Sequence, residues 1–473
     1  MKKKLAGDVS GMIQLPKAGA GIFFIGIGGV SMSALAVIAK EKGYRSGGSD
    51  RTASETTRRL QTRGIEVFIG HDASHLAGYD AVVYNAAISE ENPELRAAKE
   101  QGMTVIYRAD FMAALMDGYP FSVGVAGMHG KSTTSAWISH ILLTAARDPS
   151  VLIGASLPEI GGSFRTGSGD TFVFEACEYQ DSFLSFRPNV AVVLNIEMDH
   201  PDYFKSMDQI IESFRRYIDI PGFEGAAVLN FDDGNVRKAA EGSPTPQITC
   251  GIQYPEVRFR AASIELQHGF ASFEIQKDGE AFCHAKLHVP GMHQVMNALQ
   301  AAAAADFCGV SCADIEHGLS SFRGVGRRLE YKGRFTGTSI PVFDDFAHHP
   351  TEIRASLAVM AQLGYRRIFC VYQPHTYSRT AELFDGFLHA FDTADFLLLV
   401  DIYAARESNT YGISSRQLAE RIPHAEYCAE SEEVIRLLRK RAETGDVIVV
   451  MGAGNISRLA DEITKKEEES IHP

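Results

Sequence analysis

The chain has 473 residues, 45% of them apolar and 22% charged, a composition typical of a globular enzyme that is too long for one compact core. A net charge of −13 argues against a nucleic-acid-binding surface, although it leaves room for a basic pocket that binds a small anion. No apolar run approaches the length of a membrane span, and the start, MKKKLAGDVS, lacks the apolar core of a signal peptide. We therefore expect a cytoplasmic protein without membrane insertion, whose seven scattered cysteines are reduced thiols.

Residues 1–119 are predicted to form a Rossmann-like α/β domain. Apolar strand-like segments alternate there with helix-like segments, as in a doubly wound parallel sheet. The predicted strands are residues 22–25, a short segment that ends at Asp50, residues 80–88 and residues 104–107.

A glycine turn, formed by Gly26, Gly28 and Gly29, lies between the first predicted strand and the helix that follows it. Together with the acidic Asp50 further along, this order is typical of a dinucleotide-binding fingerprint, except that Ser31 replaces the third glycine. Because N–H groups at a helix N-terminus attract any diphosphate, the motif alone fits either NAD or a nucleotide sugar.

Residues 120–324 are predicted to form a second α/β domain, similar to a P-loop ATPase. Its predicted strands are residues 121–127, 171–177, 190–196 and 225–233. The shorter alternating stretches between residues 246 and 288 predict an antiparallel annex, and a helix is predicted over residues 293–309.

The segment after the first strand of this domain predicts a phosphate-binding loop. It consists of Gly127, Met128, His129, Gly130, Lys131, Ser132 and Thr133. The usual pattern places a glycine at the position of Val125, so this loop is shorter by two residues. Since the N–H groups of such a loop cradle phosphates, we expect Lys131 to reach the outer phosphates and Ser132 to ligate Mg²⁺.

Acidic and imidazole side chains end the next two predicted strands of this sheet. They are Glu175, Glu178, Glu197, Asp199 and His200. Because the carboxyl ends of neighbouring parallel strands meet at the ligand crevice, they predict a Mg²⁺ site with Glu175 and His200 among its ligands. Taken alone, Glu178 or Asp199 is better interpreted as a salt-bridge partner or a helix cap.

A third, Rossmann-like α/β domain is predicted over residues 325–473. Its buried-strand candidates lie in TSIPVFDDFAHHP, RRIFCVYQP, DFLLLVDIYAA and GDVIVVMGAG, and the charged tail KKEEESIHP is expected to fray. Polar groups cluster in DDFAHHP (344–350), QPHTYSR (373–379) and the presumed hinge GVGRRLE (324–330). Because arginine forks bind carboxylates and phosphates, these segments predict an anion site at one sheet edge.

The order of these motifs resembles that of the Mur ligases. The phosphate loop of that family is shortened in the same way, to a glycine, two variable residues and Gly-Lys-[Ser/Thr]. Over nearly the whole chain, the resemblance also rests on FIGIGGVSMSALA, FEACEYQDSF, NIEMDH, PGMHQVMNAL, GVGRRLE, DDFAHHPTEI, QPHTYSR and GAGNI.

The resemblance implies an amide ligation that depends on ATP and Mg²⁺ and belongs to the cytoplasmic phase of peptidoglycan synthesis. The lactyl carboxylate of UDP-N-acetylmuramate would be phosphorylated by ATP. The amine of L-alanine would then attack the acyl phosphate, with loss of phosphate. These small molecules would be the partners of a monomer or weak homodimer.

The resemblance also implies roles for individual residues. Catalysis is assigned to Lys131, Glu175, His200, Arg328, Asp345 and His348. Contacts with the nucleotide are expected from the phosphate loop and from His293, Asn297 and Arg327. Contacts with the UDP-sugar or the amino acid are expected from Gly26, Gly28, Gly29, Asp50, His375 and Arg379. The chain departs from the family pattern at positions that include Ser31, Gln294, Phe346 and Thr376.

Three alternatives are open at this point. A sister ligase would attach a murein tripeptide to UDP-N-acetylmuramate, but QPHTYSR and GAGNI favour ligation of L-alanine. An NAD(P)-dependent oxidoreductase would use the turn at Gly26 and leave the phosphate loop unexplained. A nucleotide-binding regulator without catalysis conflicts with the intact Lys131, Glu175 and His200.

Overall fold

Three β-sheets of five, ten and six strands follow one another along the chain and define N-terminal, middle and C-terminal domains. The computed structural model describes residues 15–116, 118–200, 203–405 and 407–464. The basic N-terminal cluster and the tail that is expected to fray lie outside the described residues. The expected α/β class with three domains is confirmed. Across the described ranges, no helix combines the length and the apolarity that a membrane crossing requires.

The N-terminal sheet is entirely parallel. Its strands are β1 (Gly21–Ile25), β2 (Arg45–Asp50), β3 (Glu66–Ile69), β4 (Ala81–Tyr84) and β5 (Thr104–Tyr107). Its helices are α1 (Val30–Glu41), α2 (Glu55–Thr62), α3 (Pro93–Glu100) and α4 (Arg108–Met116). The order β3-β2-β1-β4-β5 puts the glycine turn after β1 at the switch point of the sheet, where ligands of such folds bind. The four predicted strands are confirmed; β3, a partly exposed edge strand, was not predicted.

The middle sheet is mostly parallel. Its strands are β6 (Phe121–Ala126), β7 (Ser150–Leu157), β8 (Gly162–Arg165), β9 (Thr171–Glu175), β10 (Val190–Val193), β11 (Ala226–Asn230), β12 (Gln247–Gly251), β13 (Phe259–Gln267), β14 (Phe270–Lys277) and β15 (Glu280–Lys286). Its helices are α5 (Lys131–Thr144), α6 (Met207–Ile218), α7 (Gly234–Ala240), α8 (His293–Phe307) and α9 (Cys312–Ser321). The strand order is β15-β14-β13-β12-β11-β10-β6-β9-β7-β8. The predicted antiparallel annex is confirmed for β13–β15, but it extends the main sheet, and β12 pairs in parallel with β11.

The C-terminal sheet has the strand order β16-β17-β21-β18-β19-β20. Its strands are β16 (Glu330–Arg334), β17 (Pro341–Asp345), β18 (Ile368–Tyr372), β19 (Phe396–Leu399), β20 (Ala425–Tyr427) and β21 (Val447–Met451). Its helices are α10 (Pro350–Gln362), α11 (Tyr377–Glu382), α12 (Phe384–Leu388), α13 (Ser415–Arg421), α14 (Ser431–Arg441) and α15 (Ser457–Thr464). The four predicted buried strands appear as β17, β18, β19 and β21, and only the edge pair β16–β17 is antiparallel.

Helices α5 and α8 fix the middle sheet behind the phosphate loop. Trp137, the only tryptophan of the chain, is fully buried in α5, with its ring centroid 4.7 Å from that of Phe322. The side chain of Gln300 in α8 is also fully buried, and its Nε2 donates a hydrogen bond to the carbonyl oxygen of Val193 (2.9 Å). Buried polar groups are stable when they are hydrogen-bonded in this way, so α8 is anchored directly to the end of β10.

All seven cysteines are free, and five of them are buried. Cys177 and Cys312 are half-buried, and burial raises the pKa of the Cys177 thiol to about 11. Because the thiolate is the reactive form, we expect at most two thiols to react rapidly with Ellman's reagent in the native protein and all seven after denaturation. Rapid reaction of five or more thiols in the native protein would contradict this arrangement.

Candidate active site

The carboxyl ends of β9, β6 and β10 lie side by side in the middle sheet, at the mouth of a cleft of about 1280 Å³. All three domains contribute to its walls. The lining includes Ser31 and Arg108 from the N-terminal domain, Lys131 and Glu175 from the middle domain, and Arg328 and His348 from the C-terminal domain. Predicted site residues from distant parts of the sequence therefore face one space.

Two glycines give the phosphate loop its shape. The φ angles of Gly127 (+141°) and Gly130 (+85°) are rare for residues with a side chain. A Cβ on Gly127 would lie 2.9 Å from the Cβ of Leu194, and a Cβ on Gly130 would lie 2.8 Å from Oδ1 of Asn297. Helix α5 begins directly after Gly130, so the loop and the first N–H groups of a helix meet, an arrangement suited to phosphate.

Lys131 lies inside this loop. Its Nζ donates hydrogen bonds to the carbonyl oxygens of Gly127 and Met128, the latter at 3.2 Å, and lies 3.1 Å from Oε2 of Glu178. Burial opposes the charged form, but the acidic neighbours, Glu178 foremost, raise the pKa of Lys131 above its usual value. The loop therefore holds a fixed, largely enclosed positive charge.

The predicted Mg²⁺ ligands Ser132, Glu175 and His200 all line the cleft. Glu175 accepts a hydrogen bond from the N–H of Gly154, and Nε2 of His200 lies 3.2 Å from Oε1 of Glu178. A hydroxyl, a carboxylate and an imidazole at one wall fit a hard divalent cation next to bound phosphates.

Asp199 forms a buried ion pair with Arg379 across the interface between the middle and C-terminal domains. Its Oδ1 lies 3.2 Å from Nη2 of Arg379, and the side chains are only 6% and 10% exposed. Although burial favours the neutral acid, Arg379 holds the pKa of Asp199 well below its usual range. Nη1 of Arg379 also lies 3.3 Å from Nδ1 of His375, so both predicted amino-acid contacts lie together.

His129 of the phosphate loop lies between two carboxylates. Its Nε2 is 3.4 Å from Oε2 of Glu197, and its Nδ1 is 3.2 Å from Oε1 of Glu352 in α10. Burial opposes protonation, but the two carboxylates raise the pKa of His129 to about 9. The imidazole is therefore a cation at neutral pH and links the middle and C-terminal domains.

His129, Glu197 and His349 could in principle hold a metal ion, since their ligand atoms lie within 4.8 Å of one another. However, Nδ1 of His349 accepts a hydrogen bond from the N–H of Thr351 (3.3 Å). A metal would also have to displace the proton that two carboxylates stabilise on His129. We therefore interpret His129 as the cationic partner of two carboxylates and not as a metal ligand.

Raising the pH should weaken this domain contact. The pKa of His129 is raised from 6.5 to about 9 in the folded protein. The stabilisation is therefore complete below about pH 6.5 and is lost as the pH rises through about 9, when Glu197 and Glu352 face a neutral ring beside His349. The free energies of unfolding of the unchanged protein and of His129→Gln, measured by thermal unfolding, should differ by up to about 3 kcal/mol at pH 6.5 and converge near pH 10. A difference that grows with pH would contradict this sign.

The arginines of the hinge pack around Phe346. The guanidinium carbons of Arg327 and Arg328 lie 4.7 Å and 5.3 Å from its ring centroid, so the phenylalanine that departs from the family pattern still supports both. Nη2 of Arg327 donates to the carbonyl oxygen of Gly452. Nη1 of Arg328 lies 3.7 Å from Oε1 of Glu352.

Asp345 and His348 follow β17. The carboxylate of Asp345 is buried and accepts hydrogen bonds from the N–H groups of Leu329 (2.8 Å) and Ala347 (2.6 Å), so it ties the hinge to this strand end. His348 lines the cleft, and burial lowers its pKa to about 3. Its imidazole is therefore neutral at physiological pH and can accept a hydrogen bond.

The predicted nucleotide contacts on α8 form a chain of their own. Nδ2 of Asn297 donates to Oε1 of Gln294 (3.2 Å), and Nε2 of Gln294 lies 3.0 Å from Nε2 of His293. Gln294, which departs from the family pattern, thus places an amide group between the predicted contacts His293 and Asn297. Thr376, another departure, accepts a hydrogen bond from the N–H of Arg379 through Oγ1 (3.4 Å) and caps α11.

The side chain of Asp50, at the end of β2, contacts the glycine turn of the N-terminal domain. Oδ2 of Asp50 accepts a hydrogen bond from the N–H of Gly28 (3.0 Å), next to the predicted contacts Gly26 and Gly29. Nearby, Nη1 of Arg108 donates to Oγ of Ser31 (3.0 Å), so the serine that replaces a glycine binds an arginine.

Sequence reasoning missed Arg108 and Glu352 as members of the cleft, although both line it. Arg108 is an isolated charged residue at the start of α4, whereas Glu352 lies in the segment DDFAHHPTEI, where the histidines and aspartates gave the stronger signal. The interpretation of Glu178 and Asp199 as ion-pair partners is confirmed, since they pair with Lys131 and Arg379.

Three β-sheets packed with helices, a short glycine loop before a helix and acidic strand ends at one cleft define a three-domain α/β protein of the kind that handles phosphorylated ligands. The Mur ligase family catalytic domain matches residues 21–120, the Mur ligase middle domain residues 125–305, and the Mur ligase glutamate ligase domain residues 327–454. The chain belongs to the Mur ligase family.

Curated relatives align with nearly the whole chain. It is 42% identical over 449 residues to a UDP-N-acetylmuramate–L-alanine ligase of Caldicellulosiruptor bescii, covering 94% of this chain and 98% of that protein. It is 42% identical to the enzyme of the same name from Acetivibrio thermocellus, with 94% and 96% covered. The crystal structure of a UDP-N-acetylmuramate–alanine ligase from Thermotoga maritima superimposes with a TM-score of 0.77 at 25% identity, with 94% and 98% covered. A murein peptide ligase from Psychrobacter arcticus shares the fold, with a TM-score of 0.72 at 24% identity over 94% and 98%.

Proposed function

We propose that the protein ligates L-alanine to the lactyl carboxylate of UDP-N-acetylmuramate at the expense of ATP, giving UDP-N-acetylmuramoyl-L-alanine, ADP and phosphate. The carboxylate is activated as an acyl phosphate before the amine attacks. The observation that carries the proposal is the cleft in which the Lys131 loop, the Glu175–His200 wall and the C-terminal groups His348 and Arg328 face one another. The identity to ligases of this name along nearly the whole chain supports the choice of substrates.

The middle domain, which we propose spans residues 120–324, binds the nucleotide. The loop N–H groups and Lys131 bind the outer phosphates and offset the charge that accumulates when a carboxylate approaches the γ-phosphate. Ser132, Glu175 and His200 hold Mg²⁺, which supplies further charge neutralisation when bound. His293, Asn297 and Arg327 contact the rest of the nucleotide.

The outer domains, which we propose span residues 1–119 and 325–473, bind the other substrates. Gly26, Gly28, Gly29 and Asp50 bind the UDP-sugar at the switch point of the first sheet. His348, His375 and Arg379 face the amino acid and the acyl phosphate, with Arg328 and Asp345 completing the closed site. Because burial keeps the imidazole of His348 neutral at physiological pH, it can accept a hydrogen bond from the amino group of L-alanine and so orient the neutral amine for attack. We infer that the protein acts in the cytoplasm on small molecules as a monomer or weak homodimer.

Amino-acid-dependent release of phosphate tests this function. With ATP, Mg²⁺ and UDP-N-acetylmuramate present, we expect release to require L-alanine and to yield a product heavier by one alanine residue in mass spectrometry. Release with the murein tripeptide but not with L-alanine would assign the protein to the recycling reaction. Absence of release with either substrate would contradict ligation altogether.

A further inference from the structure

The phosphate loop and the first turn of α10 are joined across the domain interface by four side chains, which we call the interdomain ring. Oγ1 of Thr351 donates a hydrogen bond to Oε2 of Glu197 (3.1 Å), and the same oxygen lies 3.4 Å from Nε2 of His129. Nδ1 of His129 lies 3.2 Å from Oε1 of Glu352. Since Thr351 and Glu352 are consecutive, these contacts form a closed ring.

The His129 side of the ring has a fixed position in the middle domain. The N–H of His129 donates to Oδ1 of Asn195 (2.9 Å), and its carbonyl oxygen accepts from Nδ2 of the same side chain (3.0 Å). The backbone of His129 is therefore fixed in the middle domain, and its imidazole is placed between Glu197 and Glu352.

Glu352 also contacts two predicted catalytic groups of the C-terminal half. Its Oε2 lies 3.3 Å from Nδ1 of His348, and its Oε1 lies 3.7 Å from Nη1 of Arg328. The side chain is only 10% exposed and lines the cleft. One carboxylate thus lies between the phosphate loop, the hinge arginine and the histidine proposed to face the amino acid.

We propose that Glu352 is a positioning residue: its contact with His129 sets the register of α10 on the phosphate loop and so places His348 and Arg328 over the reacting groups. This inference rests on the proposed function for the roles of those two groups. It predicts that the negative charge of Glu352 matters for turnover more than for substrate binding.

Glu352→Gln separates this role from helix capping. The side chain of Glu352 accepts hydrogen bonds from the N–H groups of His348 (3.1 Å) and His349 (3.4 Å) at the start of α10. The glutamine oxygen can accept the same bonds, so α10 keeps its cap while the ion pair with His129 is lost. The matched control is Glu420→Gln, the same change at an exposed position of α13.

For Glu352→Gln we expect kcat to fall by about 10- to 100-fold, since a misplacement of about 1 Å at the reacting groups can cost on the order of 100-fold. KM for UDP-N-acetylmuramate should stay within about twofold, because the N-terminal sugar site is not part of the ring, and Glu420→Gln should behave as the unchanged protein does. His129→Gln should lower kcat similarly, and the double variant should be no worse than either single variant, because each change removes the same contact. Losses that multiply in the double variant, or an unchanged kcat in Glu352→Gln, would overturn the proposal.

A second measurement keeps the inference separate from the proposed function. Small-angle scattering of the unchanged protein, Glu352→Gln and His129→Gln reports domain docking whatever the reaction is. We expect both variants to have a larger radius of gyration than the unchanged protein and the Glu420→Gln control. If no amino acid supports phosphate release, the proposed function fails while this expectation still stands. Equal radii in all four proteins would overturn the interdomain ring, and His129→Gln carries this test if Glu352→Gln does not fold.

Discussion

Replacing Lys131 by alanine should reduce ligation by about 100- to 1,000-fold, the usual cost of removing one preorganised charge from the site of phosphoryl transfer. Its ammonium group lies among the loop carbonyls and Glu178, whereas the other cationic side chain of the loop, His129, is paired with Glu197 and Glu352 and cannot replace it. In this variant Glu178 also loses its lysine partner, and its carboxylate would then repel the phosphates. The measurement is the rate of L-alanine-dependent phosphate release at saturating ATP.

Two controls restrict the interpretation of this variant. Calorimetry should show unchanged binding of UDP-N-acetylmuramate, because the glycine turn that we propose to bind it lies in the N-terminal domain. The double variant Lys131→Ala/Glu178→Gln should recover part of the nucleotide affinity by removing the unpaired carboxylate. Full ligation activity in Lys131→Ala would refute the role of the loop.

Replacing Arg379 by alanine should undock the C-terminal domain. Removing one partner of a buried ion pair costs about 3–5 kcal/mol, because the other charge stays buried without compensation. Since Asp199 and Arg379 belong to different domains, the molecule avoids this cost by opening, which returns Asp199 to water. We expect an increased radius of gyration in small-angle scattering and loss of ligation, with little change in the unfolding temperature of the individual domains.

Matched variants separate charge from shape at this contact. Arg379→Lys keeps the positive charge but loses the planar fork, so its docking should be intermediate. Arg379→Ala/Asp199→Asn removes both charges and should dock better than Arg379→Ala alone. An unchanged radius in Arg379→Ala would show that the pair does not hold the domains together.

The parts of the fold that could be predicted from the sequence are those with a local signal. Strands such as β1 and β10 are short apolar runs that are buried on both faces, and flanking glycines or polar residues mark their ends. Several strands that were not predicted, among them β3, β16 and β20, lie at sheet edges and are partly exposed. Strand β7 was also missed, although it lies inside the middle sheet between β8 and β9. The sequences of β16 and β20 carry no apolar run, because pairing with one neighbour rather than burial defines them.

The site follows the same division. The phosphate loop and the acidic strand ends are contiguous segments, so their residue types and order are enough to indicate their chemistry. The interdomain ring joins residues such as Glu197 and Thr351, which are 154 positions apart and meet only when two domains dock. No regular spacing in the sequence indicates such a contact. The same holds for the hydrogen bond from Arg108 to Ser31, which are 77 positions apart.

The burial of Trp137 has a practical consequence. It is the sole tryptophan of the chain and lies in the helix whose first residues, Lys131 and Ser132, belong to the phosphate loop. Emission excited at the red edge of protein absorption therefore comes from one indole, five residues beyond Ser132 and shielded from solvent quenchers. Nucleotide binding that shifts α5 can be followed by stopped-flow fluorescence without attaching a dye. Quenching by acrylamide can report how far Trp137 becomes exposed to solvent.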